Sequence, residues 1–416
     1  MKTPPSMSAQ APLLLRHHRP FLSFWLARVF TASGFQMLTV AIGWHLYQLT
    51  GNVLDLGLVG LVEFAPRVLF MLHTGHVADR YDRRRVAALC QSLQALIALS
   101  LALASSTDSV TRELIFILAF LLGAARSFEM PATQALLPNV VPSQLFPRAV
   151  AASASAMQSA TIVAPALGGF LYAFGSVWVY GPTVCLYVIA CCLTLSLSSR
   201  QVPLAQGRAS LESLMAGIRF IRSRPDILGA ISLDLFAVLL GGATALLPVF
   251  AKDILLTGAW GLGLLRSAPA VGALLMSLWL ARFPVERKVG RVMFTAVGIF
   301  GVATIAFGLS TSFWFSLAVL AVLGAADMIS MVIRGAFVQL ETPDEMRGRV
   351  SAVNGLFIGA SNQLGEFESG VTAHWFGTVP AVVLGGVGTL VVTGVWIKLF
   401  PTLAGRDHMH SRRSDS

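Results

Sequence analysis

Two carboxylates stand where ionised groups are costly. The stretch "SNQLGEFESG" (361–370) sets Glu366 and Glu368 inside a long apolar run. An ionised side chain at the centre of a bilayer costs about 2.5–3.5 kcal/mol on insertion scales. Residues two apart on a helix are separated by about 200° around its axis, so the two acids face nearly opposite ways. Glu366 shares a face with Asn362, and Glu368 with Ser361. One acid is expected on a central path and the other against a neighbouring helix, with Glu366 favoured for the path. Desolvation favours the protonated form of a carboxyl group. Such a group can take a proton on one side of a membrane and release it when water or an arginine arrives.

Further ionisable groups lie in apolar surroundings. Glu63 and Arg67 are four apart with the acid N-terminal, an order that suits a pair on one helix face. Arg126 and Glu129 are three apart. Each pair can be read as a structural brace or as a contact for something transported. Asp327 and Arg334 share a helix face but stand about 10 Å apart along the axis, too far to touch. Asp234 has no basic partner nearby in the chain.

The elements that must carry these groups follow from composition. The 416 residues are 55% hydrophobic and 12% charged, against about 25% charged in a soluble domain. Twelve stretches are long enough to cross a bilayer, which takes about 20 apolar residues: roughly 21–48, 54–76, 86–105, 113–136, 149–174, 177–198, 227–251, 261–281, 291–310, 313–336, 350–373 and 378–399. Helices satisfy their own backbone and can sit in lipid without sheet partners. The expectation is an all-α membrane protein of twelve transmembrane helices. A soluble globular fold is excluded. Cys90, Cys185, Cys191 and Cys192 all fall in predicted spans and read as small packing residues. The first apolar run is too long for a signal peptide.

The net charge of +10 is a topological signal. With both chain ends on one face, that face holds 23 of the 30 basic residues, and the other holds Arg112 and Lys252. Arg28, Arg67, Arg126, Arg266 and Arg334 fall within spans. The positive-inside rule then puts both termini in the cytoplasm.

The chain also repeats itself. "LLGAAR" (121–126) resembles "VLGAAD" (322–327) at an offset of 201, which also matches Pro142 to Pro343 and Arg148 to Arg349. Upstream, "LGLVG" (56–60) matches "LGLLR" (262–266) at an offset of 206. The division is therefore a cytoplasmic segment 1–20, a six-helix bundle 21–198, a linker 199–226, a second six-helix bundle 227–399 and a tail 400–416. Parallel repeats flanking a central site are a known transporter plan. The repeat aligns Pro165 with Glu366, Leu167 with Glu368, and Gly169 with Gly370. It also opposes Arg28 to Asp234 and Arg126 to Asp327, so cross-half ion pairs are expected to gate the path.

"GHVADRYDRRR" (75–85) resembles the signature loop of the major facilitator superfamily. Gly75, Asp79, Arg80, Arg83 and Arg84 match it, and Asp82 replaces its glycine. "APALGG" (164–169) resembles the fifth-span antiporter motif through Pro165, Gly168 and Gly169, and "TPDEMRGRVSAVN", with Arg347 and Arg349, is similar to a loop of the drug- and siderophore-exporting branch. The resemblance implies that spans one, four, seven and ten line a cavity, making Gln36, Arg126, Glu129, Asp234, Asp327 and Arg334 candidate contacts. It implies a proton-driven exporter of small amphipathic molecules, working by alternating access in a bacterial inner membrane. Charges at the loop can latch the two halves in one arrangement, or merely mark the cytoplasmic face.

Other classes find little support. No Walker A loop is present, because no glycine precedes any of the four lysines. No ATPase subunit or cofactor is expected, and the proton gradient is the energy source. The histidines form no metal set, no nucleophile elbow stands out, and no basic–aromatic nucleic-acid surface is visible, so the chain is not expected to be an enzyme. A monomer is expected, with lipid and a small-molecule substrate as partners. The alternative is a transporter-like receptor that binds a ligand without moving it.

Overall fold

The computed structural model describes Leu15, residues 18–197 and residues 211–409; the ends of the chain and most of the linker lie outside these. The described residues are almost entirely helical. They form α1 (Arg19–Thr50), α2 (Val53–Leu69), α3 (Met71–Arg80), α4 (Arg83–Ser106), α5 (Arg112–Val140), α6 (Phe146–Tyr172), α7 (Ser176–Leu195) and α8 (Leu211–Ser223). Beyond these come α9 (Pro225–Leu240), α10 (Leu247–Val249), α11 (Gly258–Arg282), α12 (Val289–Gly308), α13 (Phe313–Glu341), α14 (Asp344–Phe376), α15 (Thr378–Leu399) and α16 (Pro401–Ala404). Several helices of the first half start where a side chain takes up a free N–H group. Asn52 caps α2, Asp82 caps α4 and Thr111 caps α5. Gly51 ends α1 in the left-handed region.

Among the described residues, ten helical segments are long and apolar enough to cross a membrane. The other two expected spans fall on α2–α3 and α14. The first is interrupted: α2 carries Pro66 and stops at Leu69, and α3 restarts at Met71. The second is continuous, but Asn362, Gln363, Glu366 and Glu368 dilute its apolar character. The expected span 227–251 is also broken. α9 stops before Gly241–Gly242, a 3-10 turn (Ala243–Leu246) follows, and a π-helical segment (Phe250–Ile254) lies just beyond α10.

Packing repeats along the chain. In the first half α1 packs on α6 and α7, α4 on α5 and α7, and α2 on α5. In the second half α9 packs on α14 and α15, α12 on α13 and α15, and α11 on α13. Each contact has its counterpart under the offsets of 206 and 201. Single residues obey the same relation. A Cβ added at Gly123 would land on the Glu63 carbonyl, and one at Gly324 on the Pro269 carbonyl. Only glycine lets the backbones approach so closely.

The halves meet mainly along two seams, α6 with α11 and α2 with α14, and these seams are each other's counterparts. A Cβ at Gly169 would stand 2.8 Å from the Gly263 Cα, and one at Gly370 would stand 2.8 Å from the Gly57 Cα.

The hydrophobic core is shared at one end only. A single large cluster joins residues of α1, α4 and α5 to Leu246, Phe250, Leu262 and Phe307 of the second half. At the end bearing the basic loops the core divides. Phe21, Phe24, Leu136 and Val141 form one cluster, while Met293, Phe337 and Leu403, and Ile221, Val350 and Val353, form two others. The halves are thus joined away from the basic loops and packed separately beside them.

Candidate functional site

Five ionisable residues from both halves gather at the junction. Glu63 and Arg67 come from α2, Arg126 from α5, Arg266 from α11 and Glu366 from α14. The charges of Arg126, Glu366, Arg266 and Arg67 all act on Glu63, and that of Arg266 acts on Glu366. Two acids among three arginines leave a cationic excess. Arg266 stands where the first half has Gly60, and that exchange in the repeat is its signal in the sequence.

Glu366 lies between backbones of the two halves. A Cβ at Gly60 of α2 would come 2.7 Å from its Oε2. On the other side, a Cβ at Gly242 would come 3.2 Å from the Glu366 N. The Thr244 side chain stands close enough to hydrogen-bond the carboxyl group. Glu368 turns along its own helix, where Thr372 Oγ1 donates to its Oε1 at 2.6 Å. Asn362, one turn before Glu366, is exposed.

The expected pairs rearrange. Arg67 does not close on Glu63; its Nη2 donates to Met130 Sδ at 3.1 Å. Arg126 lies over the Phe35 ring, 3.5 Å from its centroid, which uses its planar face rather than its charge alone. Glu129 is 4% exposed and accepts from Gln94 Nε2 at 2.9 Å and Gln91 Nε2 at 3.3 Å. The two glutamines, buried on α4, make Glu129 part of the α4–α5 packing, a contact that spacing along α5 alone does not reveal. The cross-half pairing of Arg28 with Asp234 is replaced by relations inside each half. Arg28 on α1 feels Glu129 on α5, and Asp234 on α9 forms an ion pair with Arg334 on α13. These are counterpart helices with the charges exchanged. Asp234 and Arg334 are 5% and 3% exposed, where removing one partner of a pair costs about 3–5 kcal/mol. Asp327 is partly buried and does not meet Arg126. Gln36 is partly buried on α1.

At the joined end, Tyr47 of α1 donates to Asp253 Oδ2 of the π segment at 2.5 Å, and Lys252 Nζ stands 5.0 Å from the Tyr47 ring centroid. Tyr47 and Asp253 are counterparts at the offset of 206. π-helical turns recur at functional sites, but nothing in composition marks this one.

The signature loop binds helix ends. Asp82 Oδ1 accepts from the Arg84 N at 2.9 Å, so the residue that replaces the usual glycine caps α4. Arg83 donates to the Ala135 carbonyl at 3.2 Å, and Arg84 to the Leu197 carbonyl at 2.8 Å. Cations at helix C-termini gain from the macrodipole. Arg80 is exposed, Gly75 has open space around it, and the Asp79 side chain lies outside the described residues. Pro165, Gly168 and Gly169 lie on α6, where a Cβ at Gly168 would come 2.9 Å from the Met37 Cα. Arg347 pairs with Asp344 at 2.7 Å, and Arg349 donates to Met346 Sδ at 3.5 Å. Among the described residues no group of His, Cys, Asp and Glu could hold a metal ion.

Relatives share this plan. The chain is 26% identical over 380 residues to the enterobactin exporter EntS of Escherichia coli O1:K1 / APEC, and 27% identical over 380 residues to that of Citrobacter koseri. Each match covers 91% of this chain and 87% of the relative. Among solved structures, a peptide transporter POT in complex with sulfate superposes with a TM-score of 0.71 at 10% identity, covering 95% of this chain and 96% of that one. A mutant of the nucleoside transporter NupG gives 0.69 at 17% identity over 92% and 100%. These likenesses carry the fold alone. The profile of the transmembrane secretion effector family matches residues 7–414. The chain is a multi-pass membrane transporter of the major facilitator type and belongs to the transmembrane secretion effector family.

Proposed function

We propose that the protein is a proton-driven secondary exporter of siderophore-like molecules. It has twelve spans in two six-helix bundles, counting α2–α3 and α14 as the spans beyond the ten apolar ones. The observation that carries this reading is the contrast between the two ends of the molecule. The halves share one core and the Tyr47–Asp253 bond at one end and have separate cores at the other, with the charged cluster where they meet. A crevice open at the basic end can receive a molecule, and breaking the far contacts can release it. The basic end is the cytoplasmic one under the positive-inside rule, in a bacterial inner membrane with both termini inside and the chain acting as a monomer.

The relatives' name supports enterobactin or a similar siderophore as cargo. Arg67 and Arg126 of the first half supply positive charge that favours an anionic ligand. Everted membrane vesicles containing the protein should accumulate enterobactin when a proton gradient is imposed, and a protonophore should abolish accumulation. Vesicles that bind enterobactin but never accumulate it would support the receptor reading instead. Vesicles that do neither would remove the siderophore assignment.

A further inference from the structure

Glu366 occupies a place where movement and proton access are linked. α2 and α14 run antiparallel across the seam. The Gly57–Gly370 crossing lies one turn from Glu366 on the joined side. On the other side lie exposed Asn362 and then Gly359, where a Cβ would stand 3.4 Å from Arg67 Nη1. In this arrangement the crossing shuts Glu366 off from the joined end and leaves it facing the crevice. Parting α2 from α14 would reverse its access.

The groups around it suit a proton site. From α2 it faces Glu63, with Arg67 two turns further along beside Gly359, and from α11 it faces Arg266, which also feels Glu63. α5 contributes Arg126, acting on Glu63. The Ala243–Leu246 turn brings the Thr244 hydroxyl and no titratable group. On α9, Asp234 is occupied by Arg334. Arg266 Nε and Gln363 Oε1, both beside this point, are buried without a hydrogen-bond partner, so the pocket has unspent polar capacity. The counterpart seam has Pro165 in place of the acid.

We propose that Glu366 is the proton-coupling carboxyl group, with Arg266 as its counter-charge, and that the cargo binds elsewhere in the crevice. The proposal rests on the proton-driven reading above. Glu366 takes one proton from water when the α2–α14 seam parts at the joined end. It returns that proton to water when the seam closes and the crevice opens at the basic end. Coupling thus sits in a helix seam, and the substrate site is separate from it.

The test uses the full chain in proteoliposomes, with enterobactin, the probe of the transport assay. Three quantities are read: accumulation driven by a pH gradient, counterflow at equal pH, and probe binding by tryptophan quenching. Glu366→Gln should lower accumulation at least ten-fold, while counterflow and binding stay within two-fold of the parent protein. Glu366→Asp should restore part of the accumulation. Arg266→Gln should lower accumulation and shift the pH profile of counterflow, which gives a second route if Glu366→Gln is not recovered as a monodisperse protein. The inference falls if Glu366→Gln accumulates normally, if it loses counterflow and binding as well, or if Arg266→Gln keeps the parent pH profile. A parent protein that ignores the pH gradient overturns the proton-driven reading, and this inference with it. That outcome is distinct, because in the others the parent protein responds.

Discussion

The two seams between the halves use the same crossing and differ in what lies beside it. In both, one glycine backbone crosses another at the same distance, Gly169 on Gly263 and Gly370 on Gly57. One turn away, the α6–α11 seam has Pro165, and the α2–α14 seam has Glu366 against Gly60. Further along, Gln158 Nε2 donates to the Ala270 carbonyl at 3.2 Å in the first seam, whereas Arg67 approaches Gly359 in the second. One seam is closed by neutral packing and a backbone hydrogen bond. The other has ionisable groups whose access to water depends on closure. The duplicated backbone sets where the halves touch, and the side-chain mismatch decides what touching does.

The largest expected effects come from breaking what the seams share. Gly169→Leu and Gly370→Leu each force a side chain into backbone, and overpacking of this kind costs about 1–3 kcal/mol or more. Both variants should lower the unfolding temperature in detergent, and by similar amounts. A loss confined to one of them would show that the crossings are not equivalent.

The next effect concerns the joined end, where both seams terminate. A hydrogen bond to a charged group is worth about 1.5–3 kcal/mol. Tyr47→Phe removes the bond to Asp253 and keeps the ring beneath Lys252. The balance should move about ten-fold or more toward a state parted at this end. Spin labels at exposed Leu49 and Leu256 should report a longer-distance population. An unchanged distance distribution would mean that the glycine crossings hold this end closed without the tyrosine.

Gly60→Ala separates the seams more finely. The added methyl meets the Glu366 Oε2, the far end of a flexible side chain, and not backbone. Displacing a flexible side chain should cost about 1 kcal/mol or less, yet it should alter the pH dependence of transport measured in vesicles. Its counterpart already carries arginine at position 266. A pH profile identical to the parent's would argue that the position of the Glu366 carboxyl does not matter.

The all-helical, membrane-spanning character of the chain and the repeated packing at the offsets of 206 and 201 were legible because each depends on local composition or on offset. The contacts of the charges were not. Sequence spacing suggested Glu63 with Arg67 and Arg126 with Glu129, but helix neighbours lose to better partners on other helices: Met130, Phe35, Gln91 and Gln94. The repeat suggested that counterparts face each other across the axis. That holds for Tyr47 and Asp253 at the joined end, where the halves are in contact. It fails for Arg28 and Asp234, where they are not, and Asp234 pairs with Arg334 inside its own half. Arg266 was overlooked because its significance lies in what faces it, which only packing reveals.

The smallest effects lie at the basic end, where the halves solve one problem in two ways. Position 82 corresponds to position 288. Asp82 caps α4 with its own carboxylate, whereas Lys288 sits in the left-handed region at φ 53° and caps nothing. The carbonyls of Arg406 and Asp407 in the tail accept from the Gly290 and Val289 N–H groups instead. Arg406 itself is tied to Asp226 at 2.6 Å and to Glu341. Asp82→Ala should therefore destabilise the protein by about 0.5–2 kcal/mol through the lost cap. Lys288→Gly should stabilise it by up to about 1 kcal/mol, because glycine adopts a positive φ without strain. Thermal unfolding of the two variants in detergent should give shifts of opposite sign. Shifts of the same sign would mean that the Lys288 side chain contributes more than its backbone costs, and that the tail alone does not secure α12.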